Sequence, residues 1–265
     1  VSPTFTNYPT PFYATLTAAF AAATTGDTIL IYPGIYIEDV VVAANYLKIV
    51  GIGGPAPYYD GGVWGIGVRI SGAFTMGTTK GHFIHGISFD GEGIAQDAFA
   101  TTASVQVNDT TIRDCIFANI ITNQHLCLLQ SGSGWTLQNL RFYDAGSGCH
   151  GLALRCSHVN ANNLYFEDMN GNSSIIIKSD TGTGSANDIN ISNVLMLTNV
   201  TNGGAKIVIQ SVHASFVTKG VNISNMVARH KTVGTACQYG IIIQQTAGTC
   251  SEINICNVNV DKTFA

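Results

Sequence analysis

Charge is scarce in this 265-residue chain. Lysine and arginine number 12, aspartate and glutamate 16, so 11% of residues are charged, against ~25% in an ordinary globular domain. The net charge is −4 with no basic run, which argues against a nucleic-acid partner. No stretch reaches the ~18 consecutive apolar residues of a membrane-spanning helix. No signal peptide is visible, and Val1 reads as a processed or trimmed start. No GxGxxG joins a strand to a helix and no P-loop lysine is present, so nucleotide binding has no support. None of the seven cysteines (Cys115, Cys127, Cys149, Cys156, Cys237, Cys250, Cys256) stands in a CxxC pair, which disfavours zinc. Their odd count leaves at least one thiol free. Cys115 fits a small inward core slot, and Cys149–Cys156 and Cys237–Cys250 are the pairings open to disulfides.

What the chain does have is a recurring phrase. It reads Thr136–Phe142, Asn160–Phe166, Asn190–Met196, Asn222–Ala228 and Asn254–Val260, each centred on an asparagine: Asn139, Asn163, Asn193, Asn225 and Asn257. Weaker copies centre on Gly86 and Asp114, and successive centres lie 28, 25, 24, 30, 32 and 32 residues apart. A period of this size means a repeat architecture. Apolar residues fall at −2, +1 and +3 from each centre. The +1/+3 pair has the two-residue period of a strand, and the irregular central step predicts a bend between two short strands. A second β-type run separates the phrases: Leu126–Ser131, Gly151–Ser157, Ser174–Ser179, Lys206–Ser211 and Gly240–Gln245.

Leucine-rich repeats are disfavoured because their leucine spacing is missing, and propeller blades because each unit is too short. The pattern predicts an all-β, single-stranded, right-handed parallel β-helix of about eight coils. It forms one domain, with an arm and capping helix over 1–27 and coils over 28–265. Strands on neighbouring coils lie ~4.8 Å apart. The five asparagines therefore stack, and an amide with donor and acceptor can bond to itself along the axis as a structural ladder. Ser131, Ser157, Ser179 and Ser211 suggest a second column. On this ladder reading, replacing Asn193 with leucine should cost ~1–3 kcal/mol, because its neighbours lose their amide partner.

The one helix-like stretch is Phe12–Ala23, with Leu16, Ala19, Phe20 and Ala23 on its apolar face and Gly26-Asp27 ending it. This helix, then the run from Gly26 to Val42, then Leu47–Gly54, resembles the opening of pectin-lyase-like β-helix proteins. The resemblance implies that residues 12–23 cap the open end of the solenoid. It says little about function, because that fold hosts lyases, hydrolases, esterases, phage spikes and inert surface proteins.

The middle of the chain partly resembles polygalacturonase-type glycoside hydrolases. His125-Leu126-Cys127 lies where that family has Asp-Asp-Cys, Cys149-His150-Gly151 where it has Gly-His-Gly, and Ile176-Ile177-Lys178 where it has Arg-Ile-Lys. Gln96–Phe99 resembles a remnant of the Asn-Thr-Asp strand. An inverting hydrolase needs an acid and a base straddling the bond, and His125 and Leu126 supply no carboxylate. Asp144 and Asp168, each five residues past a centre, are the acids that adjacent coils would stack. They could act as an acid/base pair or hold Ca²⁺, or be solvated turn residues. If the chain is an enzyme, His150 is the candidate base, and Arg155 and Lys178 the partners of a sugar carboxylate. Tyr58, Tyr59 and Trp64, in the glycine-rich insertion 51–67, either stack on a sugar or pack that insertion onto the solenoid.

Low charge, missing aspartates and compact coils together favour a non-enzymatic structural or adhesive protein. Such a role would be extracellular, at a cell surface or on a virion, as a decoration, fibre or filament subunit. The alternative is an enzyme cleaving an acidic polysaccharide. No obligatory cofactor is expected. The expected partners are further copies of the chain, which would cover the last coil, and a polysaccharide.

Overall fold

The computed structural model describes residues 12–59, 63–91, 96–102, 106–121, 123–169, 173–179, 184–198, 207–230 and 240–260. They wind into a parallel β-helix with three faces. The first stacks Thr28–Ile31, Lys48–Gly51, Phe83–His85 and Thr111–Arg113. It continues through the first parts of three long strands, Ser133–Ala145, Ser157–Met169 and Ala186–Thr198. The second face stacks Gly34–Tyr36, Val68–Ser71, Ser88–Asp90 and Ile116–Ile120, then the second parts of those strands. The third runs Val40–Val42, Phe74–Met76, Phe99–Thr101, His125–Leu129, His150–Leu154, Ser173–Ser179 and into Ile207–His230. Ile241–Val260 pairs along Ile207–His230.

Alternation fills the interior. In Arg141-Phe142-Tyr143 the outer two side chains point out and Phe142 is fully buried. Register places Ile70, Phe89, Phe117, Phe142, Phe166, Met196, Ala228 and Val260 in one inward column. Four phenylalanines of that column stack, with centroids 5.1, 5.0 and 4.6 Å apart and planes within 16°. Coil spacing sets this distance, so ring stacking follows from register.

The phrase centres are the bends. Asn139, Asn163, Asn193, Asn225 and Asn257 all hold φ between 52° and 56°, joined by Asp114 at 52° and Gly86 at 72°. Further left-handed residues lie five positions before the centres, among them Asp109, Gly134, His158, Asp188 and Glu252, and five after, at Asn119, Asp144 and Asp168. Asn, Asp and Gly tolerate this conformation best. The first of these centres marks close contact between coils: a Cβ on Gly51 would come 2.0 Å from the carbonyl oxygen of Gly86.

The amides also bond along the axis. Asn139 donates to Asp114 (2.8 Å), Asn163 to Asn139 (2.8 Å), Asn225 to Asn193 (3.1 Å) and Asn257 to Asn225 (2.6 Å). A parallel column joins Asn160, Asn190, Asn222 and Asn254. Both columns lie on the outside of the solenoid; apart from the half-buried Asn139, their members are exposed.

Several expectations are corrected. The helix is Leu16–Ala22, starting four residues later than read, because Thr15 takes extended geometry and its side chain accepts from the Ala18 amide. The Glu38 carboxylate accepts from the Leu16 and Thr17 amides as well. Leu16 and Phe20 bury their side chains over the first coil, and Phe20 meets Phe74 edge-on at 5.6 Å. Ser157 pairs with Ser133, outside the serine column, in which Ser179 donates to Ser211 at 3.0 Å. Cys149 and Cys156 are both free and buried, so they form no disulfide; Cys250 is free, and Cys237 lies outside the described residues. Burial pushes the Cys115 thiol up to about 12 and the Cys156 thiol higher still. These are inert core groups.

Candidate functional site

The second face carries a hairpin on its outside. Tyr58–Tyr59 and Val63–Trp64 pair antiparallel. Tyr58 drops onto Ile116, Ala118 and Tyr143, with its ring 4.8 Å from Trp64 and 5.5 Å from Tyr143. Its hydroxyl donates to Asp144 Oδ2 at 2.7 Å. Tyr58 is therefore buried, and it packs the insertion onto the solenoid. Trp64 is half-buried, with its ring 4.8 Å from the Arg69 guanidinium. The side chain of Tyr59 lies outside the described residues.

Beneath the hairpin, Arg69 pairs with Asp90, whose side chain is fully buried. Asp90 also accepts from Ser71 (3.1 Å) and Asn119 (3.3 Å). A buried carboxylate with three donors is closed to substrate and holds the wall together. Sequence alternation places Asp90 on the outside, yet its side chain is fully buried where Arg69, Ser71 and Asn119 close on it.

Further along this wall Arg141 stands in register with Tyr165, and Tyr143 with Glu167. Two rings and two opposite charges thus make a checkerboard. Tyr143 and Tyr165 lie 5.7 Å apart, and Tyr165 donates to Glu167 at 2.6 Å. Burial and Glu167 raise the Tyr165 phenol far above its ordinary range, so it stays a neutral donor. The sequence reading passed over this group, although Arg141-Phe-Tyr143 and Tyr165-Phe-Glu167 each show out-in-out alternation.

Asp144 and Asp168 sit at one level of adjacent coils, bracketed by the Tyr143–Glu167 and Ala145–Met169 pairs. Both hold left-handed backbone at the corner between the second and third faces. Asp144 is engaged by Tyr58. Among the described residues no group of three or more His, Cys, Asp or Glu side chains is arranged to hold a metal.

The third face holds the histidines. His125, His150 and Ser173 occupy one column. Asp97 Oδ1 accepts from the His125 amide at 2.7 Å and faces its Nδ1 at 2.8 Å. The two imidazoles stack at 5.2 Å, and His150 Nδ1 meets Ser173 Oγ at 2.5 Å. Desolvation, with the positive fields of His125, Arg155 and Lys178, lowers His150 to about 4. Its imidazole is neutral at pH 7 and a weak base. Arg155 and Lys178 sit level with each other at the far end of the strand, ~16 Å of backbone from His150. The outward side chains between are apolar: Leu128, Ala153 and Ile176. Of the residues proposed for catalysis, the fold brings Asp144 next to Asp168 and Arg155 next to Lys178. It does not bring all five to one point.

No family model matches this chain, and no curated protein matches it. Among solved structures it is similar to the crystal structure of a pectin methylesterase mutant in complex with hexasaccharide IV, at 13% identity over 81% of this chain and 76% of that one, with a TM-score of 0.45.

Proposed function

We propose that this chain is a non-enzymatic structural or adhesive β-helix protein, serving at a cell surface, outside the cell or on a virion as one subunit of an assembly. One observation carries the reading: several of the carboxylates and histidines that hydrolysis or elimination would use are tied to partners within the chain. Asp90 is closed by Arg69, Ser71 and Asn119, Asp144 is held by Tyr58, and Asp97 by His125. A mechanism with two carboxyl groups needs them flanking an open groove with room for water.

Light scattering with negative-stain imaging of the purified chain tests this. Trimers, filaments or higher assemblies are expected. A monomer that depolymerises an acidic polysaccharide would overturn it. That second reading, a carbohydrate-active enzyme, is favoured by the row Asp97, His125, His150 and Ser173, and predicts that His150→Ala abolishes turnover.

A further inference from the structure

The outer wall of the second face carries a row of four aromatic rings. Trp64, Tyr58, Tyr143 and Tyr165 follow one another along the solenoid at 4.8, 5.5 and 5.7 Å. The hairpin forms a raised shoulder, and Tyr143 and Tyr165 form the half-exposed floor beside it. We propose that this floor is a binding platform for a neutral, extended polysaccharide running along the solenoid axis.

Three features argue for that ligand class. Flat aromatic rings present apolar faces and polar tips, which suits the apolar faces and hydroxyl rims of pyranose rings. The rings are held before any ligand arrives: Glu167 fixes Tyr165, and Asp144 holds Tyr58, the brace on which Tyr143 leans. Such preorganisation lowers the entropy lost on binding. The coil rise of ~4.8 Å is close to the length of one sugar in an extended chain, so successive sugars meet successive coils.

The charges select against an acidic chain. Among the described residues, Arg141 and three carboxylates, Asp144, Glu167 and Asp168, stand around the two tyrosines, and exposed Arg229 follows two coils on in the Glu167 column. The carboxylates repel a uronate and accept hydrogen bonds from neutral hydroxyls. This platform lies on a different face from the histidines and requires no catalysis. It stands whether the chain is a monomer or a subunit, so it survives failure of the assembly reading.

The test is an array of immobilised cello-, xylo-, manno-, chito- and galacturono-oligosaccharides, followed by calorimetry with the best hexasaccharide. The wild-type chain is expected to bind neutral members and not galacturonate. Tyr143→Leu and Tyr165→Leu, which keep apolar packing but remove the flat ring, should each weaken binding by about tenfold or more. Tyr165→Phe keeps the ring but loses the Glu167 bond that fixes it, so it should weaken binding less than Tyr165→Leu does. Unchanged melting of each variant separates lost binding from lost fold. No neutral binding, a preference for galacturonate, or leucine variants that bind like the wild type would overturn the proposal.

Discussion

Two columns run side by side up this solenoid, one inside and one outside, with the same spacing and opposite chemistry. Inside, Phe89, Phe117, Phe142 and Phe166 stack in full burial. Outside, Asn139, Asn163, Asn193, Asn225 and Asn257 stand at the bends, most of them exposed. Parallel register aligns both, so alignment alone says nothing about energy. Solvent decides it. The rings leave water and gain transfer free energy, while the exposed amides exchange water partners for one another at little net gain. What asparagine contributes outside is mainly its tolerance of left-handed backbone.

The sharpest way to break this comparison is Phe142→Ala, which removes a ring stacked on both sides. A loss of ~3–5 kcal/mol is expected in denaturant unfolding. A loss below ~1 kcal/mol would mean the stack is not packed as described.

Acid tests the interior next. Burial holds His82 and His150 down to about 4 from 6.5. A folded-state pKa below the unfolded one means protonation favours unfolding. The stabilising contribution is therefore complete above pH ~6.5 and is lost as pH falls toward ~4, by roughly 1–2 kcal/mol for His82 and less for part-exposed His150 once solvent screening is allowed for. Urea midpoints should fall across that window, and His82→Gln should flatten the decline. A pH-independent midpoint between 7 and 4.5 would contradict the burial of His82.

Outside, the effects shrink. Asn193→Leu should cost ~1–2 kcal/mol because leucine resists positive φ. Tyr58→Phe, which takes one donor from Asp144, should cost ~1 kcal/mol and leave the coils intact. Asn193→Gly is the most discriminating, since glycine keeps the bend and removes only the amide. A loss of ~0.5 kcal/mol or less in thermal melts is expected. If Gly costs as much as Leu, the amide ladder itself is the stabilising element and the inside–outside contrast fails.

The phrase in the sequence carried much of this. Its period announced a repeat, its +1/+3 alternation announced strands, and its irregular centre announced the bend that φ values at Asn139 to Asn257 then display. Helix and cap were legible from Leu16 and Phe20. The wall was not. Tyr58 and Asp144 are 86 residues apart, and nothing local links them until the hairpin folds across two coils. Asp90 reads as an outward residue, yet Arg69, Ser71 and Asn119 from neighbouring coils close on it and its side chain is fully buried.

The sequence by itself determined the coil, because strand periodicity and left-handed bends are local properties that each repeat encodes within its own length. Tertiary structure decided which amides face water, that Cys149 and Cys156 remain thiols, and that Asp144 serves Tyr58. Those outcomes depend on which residues the winding superposes and what the hairpin covers, and no single repeat contains that information.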